Sequence, residues 1–159
     1  MLDNLKKHEK EIVGIVNDTV KETFRSYFNI DCDQLKTPQT TGKNTGITCK
    51  AEFKNANSEG AVFVTIEEAI LDKISSIIYP PDSAKMKESY QACAIEIANI
   101  VGMRVRTYLN DNGYDLEMSI PSIASLQKEN DDDIYISFSI EDRYLHIDIK
   151  FKVIELATA

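Results

Sequence analysis

Glu96 and Asn99 are the residues of this chain whose types and spacing could do chemistry together. Three positions apart on a helix, they stand one turn from each other on one face, so a carboxylate and a carboxamide are offered as a pair. Such a pair supplies a charge and hydrogen bonds, but no nucleophile of its own. Spacing alone would assign it to an ordinary solvated helix face, since a Glu three residues from an Asn arises by chance in many helices. The setting argues for more. Asn is a weak helix former that gains nothing in an exposed mid-helix position, Ala92 lies one turn before the pair, and no bulky side chain screens it within that turn.

Other chemistry is poorly supplied. His8 falls in a Lys/Glu-rich helix start and His146 on the outward face of a strand, with no second His or Cys at ligand spacing, so both read as solvated surface residues. Asp131, Asp132 and Asp133 lack the alternating ligands, the Gly and the terminal Glu of a calcium loop and read as a polar turn. There is no G-x-S-x-G, no phosphate-cradling Gly loop and no G-x-G-x-x-G. An enzyme built on this sequence uses neither its own nucleophile nor a cofactor.

The elements that must position the pair follow from periodicity. From Ser83 to Asn112, residues Tyr90, Cys93, Ala94, Ile97, Val101, Val105 and Tyr108 form one apolar stripe at about 100° per residue, while Lys85, Ala92, Glu96, Asn99, Met103, Arg106 and Asn110 fall on the opposite side. An earlier helix, from about Asp3 to Phe28, carries Val13, Val16, Val20, Phe24 and Tyr27 inward. Thr65 and Glu68 have capping-box spacing and predict a third helix, with Ile66, Ile70, Ile74 and Ile77 inward until Pro80-Pro81 ends it. Asp82 or Ser83 then caps the long helix. Between the helices, Ile47 to Phe53 alternates as a half-buried strand, and Ala61 to Thr65 reads as its antiparallel partner. Ile30 to Thr40 reads as an irregular or edge strand. Leu116, Met118 and Ile120 alternate until Pro121 interrupts, and Ile134 to Ile140 with Leu145 to Val153 forms a long hairpin around a Glu141-Asp142 turn. The expected architecture is α+β, an antiparallel-rich sheet with amphipathic helices packed on one face.

Composition narrows the partners. The chain of 159 residues, 43% apolar, is expected to form one domain over 1–159. A formal charge of -8 without a Lys/Arg cluster argues against nucleic acid and anionic lipid. Cys32, Cys49 and Cys93 form no C-x-x-C, Met1 to Lys10 is too charged for a secretory signal, and no apolar run approaches a membrane span of about 18 residues. These features predict a soluble cytoplasmic protein with three reduced thiols.

Glu96-Ile97-Ala98-Asn99-Ile100-Val101, followed by Gly113-Tyr114-Asp115-Leu116 and Ile120-Pro121-Ser122-Ile123, resembles the CheC/CheX/FliY chemotaxis phosphatases, and CheX in particular. The match is tight over Gln91 to Ile123 and compatible in element order along nearly all of the chain. The resemblance implies a phosphatase acting on the phospho-aspartate of a CheY-type response regulator. Asn99 would orient the attacking water and Glu96 would pair with the regulator's active-site Lys, with Ala92, Met103 and Arg106 on the docking face. It also implies no cofactor in this chain, Mg²⁺ supplied in the partner's active site, and a homodimer formed through the sheet. A structural reading makes the domain a dimeric interaction unit whose long hairpin, Ile134 to Ile154, pairs with a second copy. The competing reading is a catalytically inactive dimeric module that binds or senses a regulator. One departure stands out: Gly102 is third beyond Asn99 and Met103 fourth, where the family commonly has a small residue and then Gly at the fourth position.

The sequence also echoes itself. Glu11-Ile12-Val13-Gly14-Ile15-Val16 matches Glu96 to Val101 in pattern, and CheC-type relatives are built as two such halves. The first helix would then be the counterpart of the long one, silent because Gly14 stands where Asn99 does.

Overall fold

A computed structural model of the chain describes residues 6–37, 45–78, 86–125 and 133–153. Among the described residues the elements are the helices α1 (Glu9–Phe28), α2 (Glu68–Ile78) and α3 (Met86–Asp111) and the strands β1 (Asp33–Gln34), β2 (Gly46–Lys54), β3 (Ser58–Glu67), β4 (Glu117–Met118), β5 (Ser122–Ala124), β6 (Ile134–Ile140) and β7 (Arg143–Val153). All strand pairs are antiparallel, in the order β1-β6-β7-β3-β2-β4, and β5 also pairs with β2. The α+β reading therefore holds. Pro80, Pro81, Asp82, Ser83, Lys85, Asp131 and Asp132 lie outside the described residues.

Strand alternation decides which face carries the core. Cys49, Ala51 and Phe53 on β2, Val62, Val64 and Ile66 on β3, Ile134, Ile136, Phe138 and Ile140 on β6, and Leu145, Ile147, Ile149 and Phe151 on β7 are all buried. All but Ala51 join the inward residues of the helices in one cluster. Each such side chain contributes roughly 1.5 to 3 kcal/mol on burial, so the helices are held to this face. The hairpin turn follows its sequence: Glu141 and Asp142 both take positive φ, 49° and 65°, as a two-residue turn matched to strand twist requires. Both hairpin strands have neighbours in the sheet, β6 against β1 and β7 against β3.

Several local readings change. Thr65 does not cap a helix. β3 continues through it to Glu67, and its hydroxyl meets that of Thr48 across the ladder at 2.9 Å, because pairing with β2 and β7 outweighs a local cap. Tyr27 is exposed, since the inward stripe of α1 runs Ile12, Val16, Val20, Phe24 and the helix ends one turn later. Ile77 is likewise exposed at the end of α2. Neither histidine is a free surface residue. His146 is buried, its Nδ1 3.0 Å from the Ser137 hydroxyl, and His8 is half-buried with Nδ1 2.8 Å from the Tyr108 hydroxyl. Asp133 is buried in an ion pair with Lys150 rather than lying in a solvated turn.

The internal echo has a structural counterpart. Adding 85 to both members of the pairs Cys49–Val64, Ala51–Val62 and Phe53–Gly60 gives Ile134–Ile149, Ile136–Ile147 and Phe138–Leu145, which are pairs of the second hairpin. The same shift carries Ile12, Val16, Val20 and Phe24 of α1 onto Ile97, Val101, Val105 and Leu109 of α3, all buried. Each half is a helix, an edge strand and a hairpin, and each edge strand crosses to the hairpin of the other half.

The three cysteines all face the core. Burial pushes the Cys32 thiol up to about 12, with Asp31 and Asp33 adding to it, and the Cys49 thiol up to about 11; burial also raises Cys93. At pH 8 the folded protein should therefore carry almost no thiolate and resist a thiol reagent, releasing three equivalents only on unfolding. Rapid labelling of any one cysteine in the native state would contradict this packing.

Candidate functional site

The long helix α3 buries a broad face. Ala94, Ile97, Ala98, Val101, Val105 and Leu109 are all in the core. Gly102 sets how closely it sits: a Cβ there would lie 3.0 Å from the Ala51 Cβ and 3.1 Å from the Met118 Sδ, so the helix backbone rests directly over β2 and β4. Gly102 at the third position beyond Asn99 thus has a packing role in this chain.

From that seat the rest of the helix can be read round its axis. At about 100° per residue, Asn99 lies about 60° from Gly102 on the outward side and Glu96 about 120°. Asn99 is accordingly half-buried at the border of the packed face, and Glu96 is exposed. Among the described residues neither side chain has a hydrogen bond or ion pair, so both are available to a partner. Ala92 and Met103 are exposed on the same side, while Arg106 is half-buried with its Nε enclosed and without a hydrogen-bond partner. The residues that the sequence brings together are thus together, along the solvent-facing side of one helix.

The edge strand beside this helix face carries features that periodicity does not reveal. Asn110, an outward polar residue by pattern, clamps the backbone of Leu116, donating from Nδ2 to its carbonyl at 3.1 Å and accepting its amide on Oδ1 at 2.6 Å. This ties the end of α3 to the start of the edge. Further on, Met118 pairs with Phe53 and Ser122 with Lys50, so the edge spends one residue more than β2 over the same stretch. That is a bulge. It spans Ser119-Ile120-Pro121, opposite the Ala51 that Gly102 covers. Ser119 holds its near end, donating its amide to the Glu52 carbonyl at 2.9 Å and accepting the Glu52 amide on its hydroxyl at 3.0 Å. Pro121 is buried, while Ile120 is 87% exposed. Ile123 pairs with the inward-facing Cys49 and so points to the helix side of the sheet, yet it is 45% exposed.

Glu96, Ala92 and Met103 lie on an exposed helix face. Two clefts, one lined by Lys7, His8, Asn112, Gly113 and Tyr114 and the other by residues of α1 with Ile100 and Arg104, exclude both Glu96 and Asn99. No group of three His, Cys, Asp or Glu among the described residues is placed to hold a metal ion. No helix among them is long and apolar enough to cross a membrane.

A single antiparallel sheet with helices on one face, built from two interlocked halves and exposing a Glu–Asn pair on its longest helix, defines the class: this is the fold of the CheX and CheC-like chemotaxis proteins. CheX from Vibrio vulnificus superposes with a TM-score of 0.70 at 18% identity, covering 89% of this chain and 97% of that one. A CheC-like superfamily protein from Shewanella sp. PV-4 gives 0.71 at 17% identity over the same shares, 89% and 97%. CheX from Borrelia burgdorferi, in a complex with CheY, BeF3 and Mg²⁺, gives 0.70 at 15% identity, covering 88% and 97%. At these identities the likeness establishes the fold. No protein-family model and no curated protein matches the sequence.

Proposed function

We propose that this protein accelerates hydrolysis of the phospho-aspartate of a CheY-type response regulator. The observation that carries the reading is the Glu96–Asn99 pair, one turn apart, with Glu96 exposed, Asn99 half-buried and neither side chain partnered among the described residues, on the long helix of a CheX-like fold. The complex of the Borrelia CheX with CheY and BeF3 supports a regulator as the partner. In this reading the Asn99 carboxamide enters the regulator's active site and orients a water in line with the phosphorus, and Glu96 pairs with the regulator's Lys. Mg²⁺ belongs to the regulator. The chemistry asks little more of this chain, because phosphoryl transfer is catalysed mainly by positioning and charge stabilisation. One well-aimed hydrogen-bonding group is worth about 2.7 to 4 kcal/mol, or roughly 10²- to 10³-fold in rate.

The deciding experiment is phosphate release from CheY-type receivers of the same cell, charged with acetyl phosphate in the presence of Mg²⁺, with and without this protein. Acceleration of at least one receiver is expected. Tight binding with an unchanged or slower loss of phosphate would instead identify a regulator-sensing module.

A further inference from the structure

The edge strand beside the Glu–Asn pair departs from regular register. In the first half the edge pairs at Asp33 opposite Ser139 and Gln34 opposite Phe138, with the Leu35 amide bonded to the Ser137 carbonyl, and the described residues end at 37. The turns leading to the two edges correspond, Asn29 and Gly113 both taking positive φ. The second edge contains one extra residue at Ser119-Ile120-Pro121. The insertion lies in the half that carries Asn99.

Its effect is to lift an isoleucine out of the sheet. Ile120 sits at the level of Gly102, one turn along from Asn99. Ile123 on the same edge and Met103, next to Gly102 on α3, are also exposed, at 45% and 46%. In the first half the positions of Ala92 and Met103 are held by Lys7, just before α1, and Asp18 on it, both exposed and charged. At these helix positions an exposed Met accompanies the amide in the second half, and charge accompanies Gly14 in the first.

We infer that Ile120, projected by the bulge on the edge beside α3, is the specificity-determining contact that docks the regulator. The inference rests on the function proposed above. Its occupant is the receiver surface beside the phospho-aspartate pocket, because a partner that admits both Glu96 and Asn99 must cover the adjoining edge strand. Closing that contact excludes bulk water from the acyl phosphate while the Asn99 carboxamide holds one water in place. Ile120 acts on binding and alignment, and does not touch the reacting atoms.

Ile120→Ser tests this with little risk to folding, since the side chain is almost fully exposed in the free protein. Turnover is followed on receiver charged with acetyl phosphate, and binding on receiver activated with BeF3⁻ and Mg²⁺. The expected result is a rise of about tenfold in both KM and Kd with kcat at saturation within about twofold, and recovery in Ile120→Leu. Wild-type KM and Kd in Ile120→Ser, while the parent protein is active, would overturn the docking role and leave the phosphatase reading intact. A changed sedimentation coefficient for Ile120→Ser alone would assign the patch to contact between copies of this chain. Binding by the parent without acceleration would remove the phosphatase reading and still test Ile120 through Kd; a parent that neither binds nor accelerates removes both.

Discussion

Asn99→Ala is expected to abolish most of the acceleration of regulator dephosphorylation, by about 10²- to 10³-fold, while leaving the Kd for a BeF3⁻-activated receiver within a few-fold of the parent. The structure makes this a clean substitution. Asn99 is half-buried, makes no hydrogen bond among the described residues and is not needed to fill the core. Alanine is also the better helix former, so stability should stay level or rise by about 0.5 kcal/mol. A variant that unfolds at lower urea yet keeps its rate would mean that Asn99 is a structural residue and that the chemistry lies elsewhere. Glu96→Ala separates the second role: losing a charge that pairs with the regulator's Lys should weaken binding first.

Gly102→Leu should have the largest effect on stability of any change near the site. A Cβ at this position would meet the Ala51 Cβ at 3.0 Å and the Met118 Sδ at 3.1 Å. The methionine can swing aside, but Ala51 is fixed on β2. Alanine would therefore be close to neutral, its better helix propensity of about 1 kcal/mol set against tight contacts. Leucine has no space between α3 and the sheet and should cost about 3 kcal/mol, read as a lower urea midpoint. It should also lower the rate, because lifting α3 from β2 moves Asn99 relative to Ile120 and Ile123. An unchanged midpoint for Gly102→Leu would show that the helix does not seat on the strand as described.

The sequence made much of this arrangement legible, because its periods are local properties of the backbone. Alternation in Ile47 to Phe53 and in Ile134 to Phe151 states which face of a strand is apolar, and the spacing of Ala94, Ile97, Val101 and Val105 states which side of a helix is. Glu96 and Asn99 were readable for the same reason: opposite an apolar stripe, a helix residue faces out. The misread positions are those where a distant element competes for the residue. Thr65 looks like a cap until β2 and β7 claim it, and His8 and His146 look solvated until Tyr108 and Ser137 reach them.

What the sequence determined by itself was the set of faces: a helix offering a carboxylate and an amide outward, two hairpins with one apolar side each, and a faint repetition between halves. Only the tertiary structure decided what stands beside that helix. The bulge at Ile120, the clamp of Asn110 on Leu116 and the seat of Gly102 on Ala51 all depend on register between segments distant along the chain. Register is set by the packing of the whole sheet, and a one-residue slip is invisible to any local pattern.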